Sequence, residues 1–175
     1  NLFAEATQDV TDAILSEAGK LCDEVLAPLQ RAGDLHPARL ENGIVCTSPG
    51  FAEGYRAIAD GGWIGMAAPE SAGGMGLPQT LTAVVNEMMA GACLSLQLNP
   101  LMTQGQIEAL EHHASDAIKA LYLPKLISGE HVGSLAMSEP SAGSDVVSMK
   151  LRAEKRNDHY RLSGNKYWIT NGPDA

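Results

Sequence analysis

The sequence predicts an α+β chain, an all-helical N-terminal part followed by the first strands of an antiparallel β domain. Three observations predict it. Apolar residues recur every three or four positions through the first two thirds of the chain. After Gly129 the period becomes two. The pairs Asn157-Asp158 and Gly164-Asn165 then punctuate the alternating runs as turns do. Helices gathered first and strands second mean α+β or two domains. The boundary is placed near Ser128, giving units at 1–128 and 129–175.

The first helix is read over 7–27. Val10, Ile14, Ala18, Leu21, Val25 and Leu29 form its buried face, with Glu17, Lys20 and Glu24 opposite, and Pro28 weakens it. Residues 31–50 hold Gly33, Pro37, Gly43, Pro49 and Gly50 and read as a long loop. A second helix covers 49–60 on the stripe Phe51, Tyr55 and Ile58, and Gly61-Gly62 ends it. The run from Pro69 to Gly76 is glycine-rich. It lacks GxGxxG and GxxxxGK spacing and follows no strand, so it reads as a tight turn. Pro78 suits the first turn of the next helix, which carries Leu81, Val84, Val85, Met88 and Ala92 and is apolar nearly all round. Two shorter helices follow, at 103–113 and 115–122, the second with Ser115 as N-cap and Pro124 as stop. Val147, Met149, Leu151 and Ala153 alternate with polar neighbours as a half-buried strand. Tyr160 and Leu162 mark a second strand, and 166–170 a third.

Composition excludes several classes of function. The chain of 175 residues is 45% hydrophobic and 19% charged, which suits a packed core rather than disorder. A formal net charge of -9 disfavours nucleic acid and anionic membrane as partners. No apolar run in the sequence is read as approaching the roughly 20 residues that span a bilayer. Cys22, Cys46 and Cys93 have no paired or zinc-ligand spacing and read as buried or half-buried thiols in a reducing compartment. No cleavable signal is expected, and both ends read as trimmed.

Two segments stand out as candidate sites. Leu135 to Asp145 offers small residues, hydroxyls and backbone N–H groups, which suit either a polar turn or close approach to a planar or phosphorylated ligand. In the segment Lys166 to Gly172, alternation sets Trp168 and Thr170 on one strand face. They suit either an ordinary core indole or a wall and donor for an aromatic cofactor. His112 and His113 are adjacent on a helix, so their side chains diverge too far to share a metal easily, and no site for one is proposed. Glu87 is the one acid inside the most apolar helix and reads as an interdomain contact.

At these two segments the chain resembles the acyl-CoA dehydrogenase family. Leu135 to Asp145 is similar to its T/S-E-P-x-A-G-S-D signature, and Lys166 to Gly172 to its K-x-W-I-T-N-G segment. Pro69 to Gly76 resembles the P-E-x-x-G-G-x-G loop of the helical domain. Tyr122 to Leu126 with Ser128-Gly129 resembles the lead into the β domain. From about Tyr122 onward the text resembles the isovaleryl-CoA dehydrogenase branch. Earlier stretches, among them Glu41-Asn42-Gly43 and Leu101 to Gly105, resemble the 3-methylthiopropanoyl-CoA dehydrogenase branch.

The resemblance implies a truncated form of that family's fold. A helical domain at 1–128 precedes the opening strands of a β-barrel-like flavin-binding middle domain at 129–175. A C-terminal helical domain and the catalytic base Glu lie beyond residue 175. It implies FAD as cofactor, a short branched acyl-CoA as substrate, electron-transfer flavoprotein as electron acceptor, and a homotetramer in the bacterial cytoplasm or the mitochondrial matrix. Leu135, Ala136, Met137 and Ser138 would contact the flavin ring and its pyrimidine edge. Gly143 and Ser144 would follow, with Ser144 near the acyl-CoA and the flavin phosphates. Trp168 and Ile169 would pack at the ring, and Thr170 would donate to it. Without the missing parts, the chain alone is expected to bind flavin weakly and to be inactive. Competing readings are a non-catalytic helical interaction module, and an oxidase or monooxygenase on the same fold.

Overall fold

A computed structural model describes residues 3–173. Its first helix continues where Pro28 was expected to weaken it. Helix α1, Gln8–Leu21, starts at Thr7, whose hydroxyl accepts the Val10 N–H. A single π-helical turn, Cys22–Leu26, then hands the chain to α2, Ala27–Leu35. Pro28 falls in the first turn of α2, where its missing N–H leaves no gap in the ladder. The widened π turn lets one helix run through a proline without a break.

The expected 31–50 loop contains a hairpin. Strand β1, Arg39–Glu41, pairs antiparallel with β2, Ile44–Cys46, across Asn42-Gly43. Both turn residues have positive φ, 53° and 80°, which is the type I′ geometry that Asn-Gly favours. Helix α3, Phe51–Asp60, follows and ends at Gly61-Gly62. The glycine-rich stretch folds back on itself as expected. Gly74 N–H donates to Pro69 O, Met75 N–H to Gly65 O, Gly76 N–H to Ala68 O and Leu77 N–H to Met66 O.

Two helices expected separately are arms of one, α4, Gln79–His113. It breaks at Cys93 (φ -154°, ψ 86°), so the second arm begins just after Cys93, well before its expected start at 103. A chain of amides crosses the break. Gln97 donates to Asn86, Asn86 to Gln104, and Gln104 to the Trp63 carbonyl, at 2.8, 2.8 and 3.2 Å. By length and composition α4 could cross a membrane, with mean hydropathy 1.3 over 18 residues. That corrects the sequence expectation on apolar runs. Here α4 is the central helix of the bundle and packs against α1, α2, α3 and the next helix, α5, Asp116–Ile127. Pro124 lies inside α5 rather than ending it, and the Ser115 side chain makes no capping bond.

The contiguous core cluster lies in the helical part, with Ala142 buried apart from it. Leu26, Ile58, Met66, Val85, Met89 and Cys93 are fully buried in one cluster that runs from Ala18 to Ile127. Cys22 is also buried and Cys46 half-buried, as expected. Burial, more than neighbouring Asp23, raises the Cys22 thiol pKa, so it stays a packing group.

The β part is sparser than expected. Val146–Ser148 is a 3₁₀ turn rather than the start of a strand. Strand β3, Arg152–Lys155, pairs antiparallel with β4, Tyr160–Ser163, and every residue of both is exposed. The expected third strand at 166–170 does not form. Trp168 adopts φ 59°, a left-handed conformation that breaks any strand alternation, so Trp168 and Thr170 do not share a strand face.

Candidate flavin site

The two motif segments lie side by side. Tyr167 N–H donates to the Ser138 carbonyl at 2.9 Å. Lys166 Nζ reaches the Met137 carbonyl at 2.7 Å and the Glu139 carboxylate at 3.0 Å. Glu139 also closes a tight turn, exchanging backbone hydrogen bonds with Ala142. This turn leaves Gly143 and Ser144 on the surface. Ser138 is half-buried, while Leu135, Ala136, Met137 and Ile169 are exposed. Trp168 is 88% exposed, with its indole edge-on to Tyr167.

Thr170 belongs to a different surface. It lines a cleft of about 670 Å³ together with Phe51, Tyr55, Leu96, Leu98 and Asn99. The structure therefore brings Ser138 beside the Lys166-Tyr167 pair and aims Thr170 at the cleft. Trp168 stands in solvent and lines none of the described pockets.

Sequence reasoning missed the groups that fix this arrangement. Asn171 has φ 61° and donates through Nδ2 to the Gly133 carbonyl at 2.9 Å and the Asn99 carbonyl at 3.1 Å. On the other side of the same glycine, Gly133 N–H donates to Thr103 Oγ1 at 3.0 Å. Helix α4 thus holds both the lead into the first motif and the end of the second. Thr103→Val keeps shape but leaves a buried N–H without an acceptor. It is expected to cost about 2 kcal/mol, read as a lower urea midpoint at unchanged m.

Glu139 is the other missed residue. Its buried carboxylate accepts the Lys150 N–H at 2.7 Å, the Leu151 N–H at 2.9 Å and the Lys166 ammonium. Those two N–H groups first, and the ammonium after them, lower its pKa from 4.5 to about 2. A lowered native pKa adds stability that is complete above the unfolded value. It is lost as pH falls from 4.5 through about 2. Glu139→Gln is therefore expected to flatten the acid dependence of unfolding in that window, measured by urea titrations at fixed pH. The signal for Glu139 was its place between Ser138 and Pro140 in the first motif, where a turn buries it. No periodicity marks it.

Glu87, His112 and His113 are exposed. Tyr55 donates its hydroxyl to the Gly129 carbonyl at 3.1 Å, and burial raises its pKa.

Comparison with known proteins agrees with the motifs. Residues 8–130 match the acyl-CoA dehydrogenase N-terminal domain and residues 134–175 the middle domain. The chain is 42% identical over 171 residues to 3-methylmercaptopropionyl-CoA dehydrogenase of Ruegeria pomeroyi, covering 97% of this chain and 29% of that protein. It is 48% identical over 124 residues to mitochondrial isovaleryl-CoA dehydrogenase of Pongo abelii, covering 70% and 29%. Among solved structures, the glutaryl-coenzyme A dehydrogenase complex with glutaryl-CoA superposes with TM-score 0.78 at 28% identity, covering 93% of this chain and 39% of that one. The chain thus spans under a third of the length of these curated relatives. Its two matched domains and its identity along nearly the whole chain make it a member of the acyl-CoA dehydrogenase family.

Proposed function

We propose that the protein carrying this chain is an FAD-dependent acyl-CoA dehydrogenase acting on a short branched acyl-CoA of the isovaleryl kind. The observation that carries this reading is the Ser138–Tyr167 backbone bond, which joins the two family motifs side by side. The residues present fit a flavin. The half-buried Ser138 offers a hydroxyl and an N–H with no protein acceptor among the described residues. Trp168 offers an indole face free to stack. Leu135, Ala136, Met137 and Ile169 supply apolar contact at the ring, and Gly143 and Ser144 face the phosphates and the acyl-CoA.

When bound, FAD supplies the two-electron acceptor for α,β-dehydrogenation of the thioester. This chain's part is to orient the ring through Ser138 at its polar edge, while Thr170, on a separate surface, faces the cleft. The apolar walls of that cleft, Phe51, Leu96, Leu98 and Val132, would keep water from the acyl portion. No acid of this chain is assigned as base. The proposal keeps that role for a Glu outside it. Electrons would pass to electron-transfer flavoprotein. A tetramer in the bacterial cytoplasm, serving leucine catabolism, completes the proposal.

The 42% identity to the Ruegeria enzyme along 97% of the chain favours a second substrate, 3-methylthiopropanoyl-CoA. The test is anaerobic addition of either thioester to the flavin-loaded protein. Loss of the yellow colour within the mixing time with one of them supports the reading and names the substrate. A colourless protein, or colour indifferent to both, overturns it.

A further inference from the structure

Lys166 and Glu139 make an ion pair unlike any other among the described residues. Their side chains are 13% and 5% exposed, whereas every other pair lies on the surface. Burying two charges is costly unless every remaining donor and acceptor finds a partner. Here they do. The carboxylate takes two backbone N–H groups and the ammonium. The ammonium reaches the Met137 carbonyl at 2.7 Å and the Met149 sulfur at 3.2 Å. Three stretches of chain, 137–139, 149–151 and 166–167, therefore meet at one pair of charges.

The Lys166–Met137 contact also bears on Ser138. The Met137 carbonyl and the Ser138 N–H are opposite ends of the same peptide group. A cation on the carbonyl draws electron density along the amide and strengthens the N–H as a donor. That N–H is unpaired within the described residues, and the Ser138 carbonyl on its other side is fixed by Tyr167. Lys166 holds this peptide at its carbonyl and Tyr167 holds the following one, with the polarised Ser138 N–H left for a ligand.

We infer that Lys166, anchored by Glu139, is a positioning residue that orients and polarises the Ser138 amide toward the flavin. This rests on the flavin reading above. A stronger donor favours whichever ring state carries more negative charge, so the pair should favour reduced over oxidised flavin. Loss of the ammonium then weakens FAD binding and lowers the midpoint potential. Glu139 keeps its two backbone partners in Lys166→Met, so that variant is expected to fold.

The test uses the holoprotein containing these residues. FAD dissociation constants and flavin midpoint potentials are measured for the parent, Lys166→Met, Lys166→Arg and the charge-neutral double variant Glu139→Gln/Lys166→Met. Ile107→Ala serves as a destabilised control away from the motifs. Lys166→Met and the double variant are expected to bind FAD tenfold more weakly and to lose a tenfold preference for the reduced ring. In a two-electron couple that is about 30 mV. Lys166→Arg should recover part of both, and Ile107→Ala should melt earlier with an unchanged potential. If the two Lys166→Met proteins keep the parental affinity and potential, the inference falls while the flavin assignment stands. If the parent itself takes up no FAD, both fall together.

Discussion

Gly74→Ala is expected to lower stability by about 4 kcal/mol, the largest loss from any single methyl added to this chain. A Cβ at Gly74 would lie 2.6 Å from the Ala68 Cβ and closer still to the carbonyl of the same residue. Most glycines here that a methyl would crowd face the end of a movable side chain. Gly74 faces backbone, and backbone cannot turn aside. Four hydrogen bonds tie residues 65–77 into the fold-back that carries Met66, Ala68 and Leu77 into the core. Relief of the overlap must therefore open that ladder and lift three core side chains. Thermal melting followed by far-ultraviolet circular dichroism reads the effect. A midpoint within 2 °C of the parent would show that the loop yields cheaply. Gly73→Ala is the useful companion. A Cβ there meets nothing, and only its φ of 96° opposes it, so its cost should be near 1 kcal/mol.

Asn171→Ala is expected to cost about 3 kcal/mol and to release the second motif from the helical domain. Two losses combine. The carbonyls of Asn99 and Gly133 each lose a donor, at about 1 kcal/mol apiece. Alanine at φ 61° adds about 1 kcal/mol that asparagine avoids. The loss is local, in the docking of residues 166–173 on the helices rather than in the bundle itself. Residues 166–173 should exchange amide hydrogens far faster in the variant while α1 to α5 keep their protection. Asn171→Gly separates the two contributions, because it restores the backbone conformation without the side-chain bonds. In the flavin-loaded protein, Asn171→Ala should also weaken FAD binding, since Thr170 loses its fixed place beside the cleft.

Much of the helical domain was legible because each helix buries one stripe, and a stripe is a local pattern. The stripe of Ile14, Ala18 and Leu21 predicted α1, although Val10, expected on the same face, is 40% exposed at the helix start, and Gly61-Gly62 marked the end of α3. Prolines misled. Pro28 was read as weakening a helix and Pro124 as ending one, but the first sits in a first turn behind a π bulge and the second in a last turn. The missed hairpin had its own signal in Asn42-Gly43, which was submerged in a run of other loop residues. The strand at 166–170 failed for a different reason. Alternation of side chains cannot reveal a left-handed residue at Trp168, which sits between Lys166 and Asn171, both bonded to distant stretches of chain. The same holds for the site. The two motifs were visible as text, whereas Glu139, Thr103 and Asn171 gain their roles only when residues 11 to 72 positions apart are brought into contact.

The confinement of the buried cluster to residues 18–127 has a consequence in time. Every core side chain there meets neighbours within one compact stretch of sequence, so the bundle can collapse before residue 134 is in place. The later segments contribute almost nothing to that collapse. They arrive afterwards and take their positions from anchors on a surface already formed, Thr103 and Asn99 on α4. Such an order makes the helices a template. A lesion in the bundle would then be inherited by the flavin motifs, while a lesion in the motifs would leave the bundle intact.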